Sequence, residues 1–112
     1  AGLVITGDQP KQVLVRGLGP SMKSKFPSTA KVLMDPQLRL YKGSTLLATN
    51  DNWADASNAD DIASLAASIR PVDSREPAIL LTLEPGLYTA HLLGVNGDTG
   101  NANVAVYDLT GR

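Results

Sequence analysis

Hydrophobic and polar residues alternate along most of the chain, and this spacing predicts β-strands. In the segment KQVLVRG, Val13 and Val15 share one face of the predicted strand. Gln12, Leu14 and Arg16 share the other. Comparable strand patterns recur in the segments AGLVIT, PQLRLYK, GSTLLATN, AILLTL, LYTAHLLGV and ANVAVYDL.

Turn residues separate these predicted strands. The Lys42-Gly43-Ser44 turn predicts that PQLRLYK and GSTLLATN pair as a hairpin. Asn96-Gly97 is a strong hairpin signal before the last strand, because both residues adopt the positive φ angles of a tight turn. Three prolines interrupt the stretch GLGPSMKSKFPSTAKVLMDP, which we expect to be an irregular connection.

One segment, SNADDIASLAASIR, has helical spacing instead. Ser57 or Asn58 can cap its start, where Asp60 and Asp61 also suit the positive end of the helix dipole. Pro71 ends it. Its apolar stripe consists of Ile62, Leu65, Ala66 and Ile69.

About seven strands, one short α-helix and one long connection predict a mainly β fold, an antiparallel β-sandwich. The chain has 112 residues, which suits a single domain spanning 1–112. Phe26, Tyr41, Trp53, Tyr88 and Tyr107 are its only aromatic residues, so aliphatic side chains must fill most of the core.

Composition excludes several classes of protein. The net charge is −1 and the basic residues are dispersed, so no basic stripe indicates nucleic-acid binding. The chain contains no cysteine, which excludes a disulfide scaffold, a Cys-zinc site and a thiol nucleophile. No apolar run approaches the roughly 18 residues that a membrane span needs.

The loop ATNDNWAD concentrates polar side chains around the only tryptophan. Calcium binding is one interpretation, since Asn50, Asp51, Asn52 and Asp55 offer oxygens and Asp60 and Asp61 follow nearby. The EF-hand spacing fails, however, because Trp53 occupies a ligand position. We favour a structural loop formed by Asn50, Asp51, Asn52 and Trp53, without a metal. Trp53 would then close one end of the core, with its indole N–H bonded to a backbone carbonyl.

Catalysis has little support in the sequence. His91 is the only histidine, and no spacing pairs it with a carboxylate or a nucleophile. Ser21 follows two glycines, but the second glycine of a nucleophile elbow is replaced by Lys23. We therefore predict no catalytic residue, no metal ligand and no cofactor. An enzyme built on Asp51, Asp55 and His91 would require a convergence that only the fold could create.

Several phrases, taken in order, resemble a repeat of large secreted bacterial surface proteins. They are QVLVRGLGPSM, MDPQLRLYKGSTLLATNDNW and REPAILLTLEPGLYTAHLLGVNGDTGNANVAVYDL. The likeness spans Leu3 to Leu109. More distantly, Leu38–Asp51 and Leu83–Thr89 are similar to the C-terminal β-sandwich domains of secreted peptidases.

The resemblance implies an extracellular or cell-surface β-sandwich, and it supplies no catalytic residue. The apolar start AGLVIT is a pairing liability, so we expect the first strand to be truncated or completed by a partner chain. Leu3, Val4 and Ile5 are the predicted partner contact. The expected function is that of a non-catalytic subunit of a fibre, pilus or array. The alternative is an accessory module that binds glycan or another surface ligand, with calcium as an optional stabiliser.

Overall fold

A computed structural model describes residues 2–25, 31–97 and 99–109. Within these ranges the chain forms seven strands and one α-helix. None of the helices there is long and apolar enough to cross a membrane. The elements are β1 (Gly2–Ile5), β2 (Lys11–Leu18), β3 (Pro36–Lys42), β4 (Thr45–Asn50), α1 (Ala59–Ala63), β5 (Ala78–Leu83), β6 (Gly86–Gly94) and β7 (Asn103–Asp108).

The strands form two antiparallel sheets, which confirms the predicted sandwich. One sheet has four strands in the order β1-β6-β3-β4, and the other has three in the order β5-β2-β7. Strand β4 lies over β5, β3 over β2 and β6 over β7. The inner faces of both sheets therefore share one core, which contains Ile5, Val13, Val15, Leu38, Leu40, Ile79, Leu83, Tyr88 and Ala90.

Strand β2 is buried on both faces. Val13 and Val15 point between the sheets, as the alternation predicts. Leu14 points the other way, into a second apolar cluster outside the three-stranded sheet. Ile62 and Ile69 also belong to this second cluster. The segment 53–70, which contains them, therefore covers the outer face of that sheet. We call this side of the molecule the helical side.

The predicted helix is much shorter than its apolar spacing indicates. It extends only over Ala59–Ala63. From Ser64 onward the chain forms tighter turns, in which the Leu65 N–H donates to the Ile62 carbonyl three residues earlier. Ser64 and Ser68 are poor helix formers, and Ser64 turns its hydroxyl back to the Asp61 carbonyl. The tightened turns still bury Ile69, whereas Ala66 is exposed.

Only one of the two predicted hairpins exists. Strands β3 and β4 pair as expected, with a shift in register after Leu40. The Asn96-Gly97 prediction is wrong, because β6 and β7 belong to different sheets. Asn96 does adopt a positive φ of 56°, but it carries the chain across the sandwich instead of back along β6. Local turn chemistry specifies a reversal, not the sheet in which the next strand pairs.

The long connection begins as a 3₁₀ turn at Pro20–Lys25. It requires glycine at position 19, because a Cβ there would lie only 2.0 Å from the carbonyl oxygen of Leu33. Further along, Val32 makes a parallel bridge with Asn101. The middle of the predicted connection lies outside the described residues.

Candidate functional site

The two outer faces of the sandwich differ in how they are covered. The segment 53–70 packs on the three-stranded sheet. On the four-stranded sheet, the outward side chains of β1, β6, β3 and β4 are exposed or half-buried. We call this second surface the open face. It is the candidate functional site.

Large apolar side chains are concentrated on the open face. Val4 on β1 lies directly opposite Leu87 on β6, and these side chains are 60% and 70% exposed. Leu46 and Leu93 lie on the same face and are also exposed. Scattered apolar residues are ordinary on protein surfaces, but their grouping on one uncovered sheet makes this face the candidate interaction surface.

A polar and aromatic group lies at the centre of the open face. The rings of Tyr41 and His91 have centroids 5.0 Å apart and are tilted by 47°. Arg39 lies directly opposite His91 and has no ion pair with any residue in the described ranges. The four strands contain no Asp or Glu, so the charge of Arg39 is not neutralised on this face.

The structure separates the three residues predicted at the partner contact. Ile5 is 7% exposed and belongs to the core between the sheets, and Leu3 packs against the same core. Only the side chain of Val4 points outward. The interface role of this strand remains a prediction. Of the three residues, Val4 is the one whose side chain could contact a partner.

The predicted structural loop is held by amide groups. Asn50 ends β4, and its Oδ1 accepts a hydrogen bond of 3.0 Å from the Ala78 N–H. Its Nδ2 donates to the Asn52 carbonyl at 3.1 Å. The Asn52 amide in turn donates to the carbonyls of Asp51 and Ser74, each at 3.2 Å. The loop is thereby joined to β5 and to the segment before it.

Trp53 lies elsewhere than predicted. It packs against the second apolar cluster on the helical side, not at one end of the core between the sheets. The expected hydrogen bond of its indole is also absent, because Nε1 is buried without a partner among the described residues. Its backbone N–H instead donates to the Glu76 carbonyl at 3.0 Å.

The carboxylates of the loop do not converge. The described residues contain no group of three or more His, Asp or Glu side chains placed to hold a metal ion. Asn50, whose oxygen would be one of the calcium ligands, already uses that oxygen to accept a hydrogen bond from the Ala78 N–H. His91 lies on β6, where its ring contacts the tilted ring of Tyr41.

Sequence reasoning missed a buried carboxylate at Glu76. Its side chain is fully buried, and its Oε2 accepts hydrogen bonds from the N–H groups of Gly19 at 2.8 Å and Ser21 at 2.9 Å. The Ser21 hydroxyl donates to the same oxygen at 2.6 Å. Ser21 therefore acts as an anchor for the 3₁₀ turn at Pro20–Lys25, which accounts for its position without nucleophilic chemistry.

Arg16 is the charged neighbour of Glu76. Its Nη1 donates to the Ile69 carbonyl at 3.0 Å, and its Nη2 lies 3.8 Å from Glu76 Oε1. Ala78 and Ala105 flank Arg16 on the adjacent strands, and their small side chains leave room for the guanidinium. This pair joins β2, the 3₁₀ turn and the helical side, so we assign it a structural role. No spacing in the sequence connects its members.

No family model, no curated protein and no solved structure matches this chain.

Proposed function

We propose that this chain is a non-catalytic extracellular structural domain, a subunit that packs against its neighbours in a cell-surface fibre, pilus or array. The single observation that carries the proposal is the exposed pair Val4 and Leu87 on the open face. The extracellular setting rests on the resemblance to repeats of secreted surface proteins.

The energetics favour burial of this pair in a contact. Covering an aliphatic side chain of this size contributes about 1.5–3 kcal/mol when it passes from full exposure to full burial. Val4 and Leu87 remain mostly exposed, so burying each of them in an intermolecular contact can still contribute more than half of that free energy. Burial of Leu46 and Leu93, which are less exposed, would contribute smaller amounts of free energy. Tyr41 and Arg39 supply residue types that are enriched where proteins meet.

The outward orientation of Val4 makes the proposal testable without disturbing the core. Val4→Asp should abolish assembly, because a carboxylate would then be buried in the contact without a partner. Val72→Asp is the matched control, since Val72 is 81% exposed and belongs to the loop before β5, not to the four strands of the open face. Sedimentation velocity and electron microscopy would measure the size of the assemblies. Normal assemblies from the Val4→Asp chain would overturn the role of this strand.

The neighbouring rings of Tyr41 and His91 favour a second candidate function, glycan binding on the open face. Tyr41 and His91 could present a small platform to a sugar ring, and Arg39 could donate hydrogen bonds to its hydroxyl groups. Tyr41→Ala should then abolish retention of the chain on a panel of immobilised polysaccharides, while Val4→Asp should leave it unchanged. Loss of retention with Val4→Asp alone would instead indicate an apolar contact.

A further inference from the structure

The open face has a complementary surface on the other side of the same molecule. Residues 51–70, which include the cover of the three-stranded sheet, contain four aspartates and a single basic residue, Arg70. Asp55, Asp60 and Asp61 are exposed, and none has an ion pair with another described residue. The helical side is therefore acidic, whereas the open face carries Arg39 and no carboxylate.

The orientation of α1 keeps this charge at the surface. Ile62 is fully buried against the sheet, and Asp60 lies two residues earlier, about 200° around the helix. The carboxylate of Asp60 therefore points away from the sheet, towards any molecule that packs on the helical side.

A cleft lined by apolar and polar side chains begins at Ser64, about one helical turn after Asp60 and Asp61. It has a volume of about 300 Å³ and opens on the helical side. That volume is sufficient for an aliphatic side chain. Its walls are formed by Gln12, Ser64, Leu65, Ala66, Ile69 and Leu109.

From this complementarity we infer that two copies of the chain pack head to tail, with the open face of one copy against the helical side of the next. Arg39 then approaches Asp60 and Asp61, and an exposed aliphatic side chain of the open face enters the cleft of the neighbour. An apolar patch that fits a cleft elsewhere on the same molecule makes a head-to-tail contact, and such a contact builds an open filament wherever the rotation between successive copies does not close a ring. This inference rests on the proposed function and specifies its partner.

Charge disfavours the simplest alternative, a two-fold dimer through two open faces. Such a dimer would bring two Arg39 side chains into one contact, and neither open face supplies a carboxylate to compensate them. Like charges opposed in a contact cost several kcal/mol. Pairing the open face with the helical side removes that cost.

Two reciprocal charge reversals test the inference on the full chain. Arg39→Glu makes both surfaces acidic, and Asp60→Lys/Asp61→Lys makes both basic. Each variant alone should associate at least about tenfold more weakly than the wild type at low ionic strength. A 1:1 mixture should restore long polymers, because the two variants then alternate. Glu84→Lys is the control for a general charge effect, since Glu84 is exposed at the turn between β5 and β6.

Sedimentation velocity gives the polymer size, and the melting temperature of each variant verifies its fold. If Val4→Asp blocks association while Asp60→Lys/Asp61→Lys associates like the wild type, the proposed function stands and the head-to-tail packing is wrong. Assemblies that stop at dimers, or folded variants that do not co-assemble, also overturn the packing. A wild-type chain that remains monomeric at every concentration overturns the packing and the proposed function together.

Discussion

The hydroxyl of Ser21 donates a hydrogen bond of 2.6 Å to Oε2 of Glu76, although 55 residues separate the two in sequence. The backbone N–H groups of Gly19 and Ser21 donate to the same oxygen. A buried carboxylate thus fixes the start of the 3₁₀ turn to the segment that precedes β5. The backbone carbonyl of Glu76 accepts from the Trp53 N–H, which ties the start of the segment 53–70 to the same place.

Glu76→Ala should destabilise the protein by about 3–5 kcal/mol, because it leaves the Arg16 charge buried without compensation and removes the acceptor of three hydrogen bonds. Ser21→Ala removes one of those bonds and should cost only about 1–3 kcal/mol. Urea unfolding measures both changes. Glu84→Ala, at an exposed site, should remain within about 0.5 kcal/mol of the wild type. An equal effect at positions 76 and 84 would contradict the anchoring role.

Two asparagine side chains block one edge of the three-stranded sheet. Asn58 Nδ2 donates to the Leu80 carbonyl at 2.8 Å, and Asn50 Oδ1 accepts from the Ala78 N–H at 3.0 Å. Both backbone groups belong to β5, whose only strand neighbour in the sheet is β2. The amides occupy hydrogen-bonding positions that another chain could otherwise use.

Asn58→Ala should therefore cost about 1–3 kcal/mol and make the chain more prone to aggregate through β5. Asn58→Asp preserves the size of the side chain but removes the donor, so it should destabilise in the same direction. Urea unfolding and light scattering on heating would measure the two effects. Ser57→Ala, at the exposed neighbouring position, is the control. If Asn58→Ala behaves like Ser57→Ala in both measurements, the amide does not protect the edge.

Alternation along the sequence predicted strands such as β3 because their successive side chains alternate between the buried core and the less buried outer face. It could not predict which sheet a strand joins, since Asn96-Gly97 specifies only a local reversal. Helical spacing located α1 but not its length, because the turns after Ser64 also bury Ile69. Tertiary packing decided both which sheet each strand joins and where α1 ends.

The candidate site was only partly predictable for a similar reason. Val4 was among the predicted contact residues, but Leu3 and Ile5 were grouped with it although the alternation of a strand places them on the opposite face. Tyr41 and His91 lie 50 positions apart and meet only because β3 pairs with β6. Glu76 follows Arg75 in an unpatterned segment, so nothing in the sequence marks it as buried.

Calcium should leave the melting temperature unchanged, and so should a chelator. The side-chain oxygen of Asn50 already accepts a hydrogen bond from the Ala78 N–H, and the carboxylates nearby do not converge among the described residues. Asp51→Ala should respond to calcium in the same way as the wild type. A calcium-dependent rise in melting temperature that Asp51→Ala removes would instead support the calcium-stabilised module.

Arg75 lowers the pKa of Asp73. Its Nε donates to Oδ1 at 3.0 Å and its Nη2 to Oδ2 at 2.8 Å, and these bonds favour the ionised carboxylate. Because the folded pKa is depressed, the stabilisation is present above the unfolded pKa of about 3.9 and is lost as the pH falls through the folded pKa. Arg75→Ala should therefore raise the pKa of Asp73 in an NMR titration. The stability difference from the wild type should disappear in strong acid, whereas a difference that persists there would have another cause.

The register of β1 against β6 predicts opposite responses at adjacent positions. Ile5 lies opposite Gly86 and is buried, so Ile5→Ala should destabilise the protein by about 2–5 kcal/mol. Val4 lies opposite Leu87 and points outward, so Val4→Ala should change the stability of the monomer by less than about 0.5 kcal/mol. Denaturant unfolding in dilute solution separates the two effects. The reverse result would mean that β1 is shifted by one residue, because such a shift exchanges every side chain between the core and the open face.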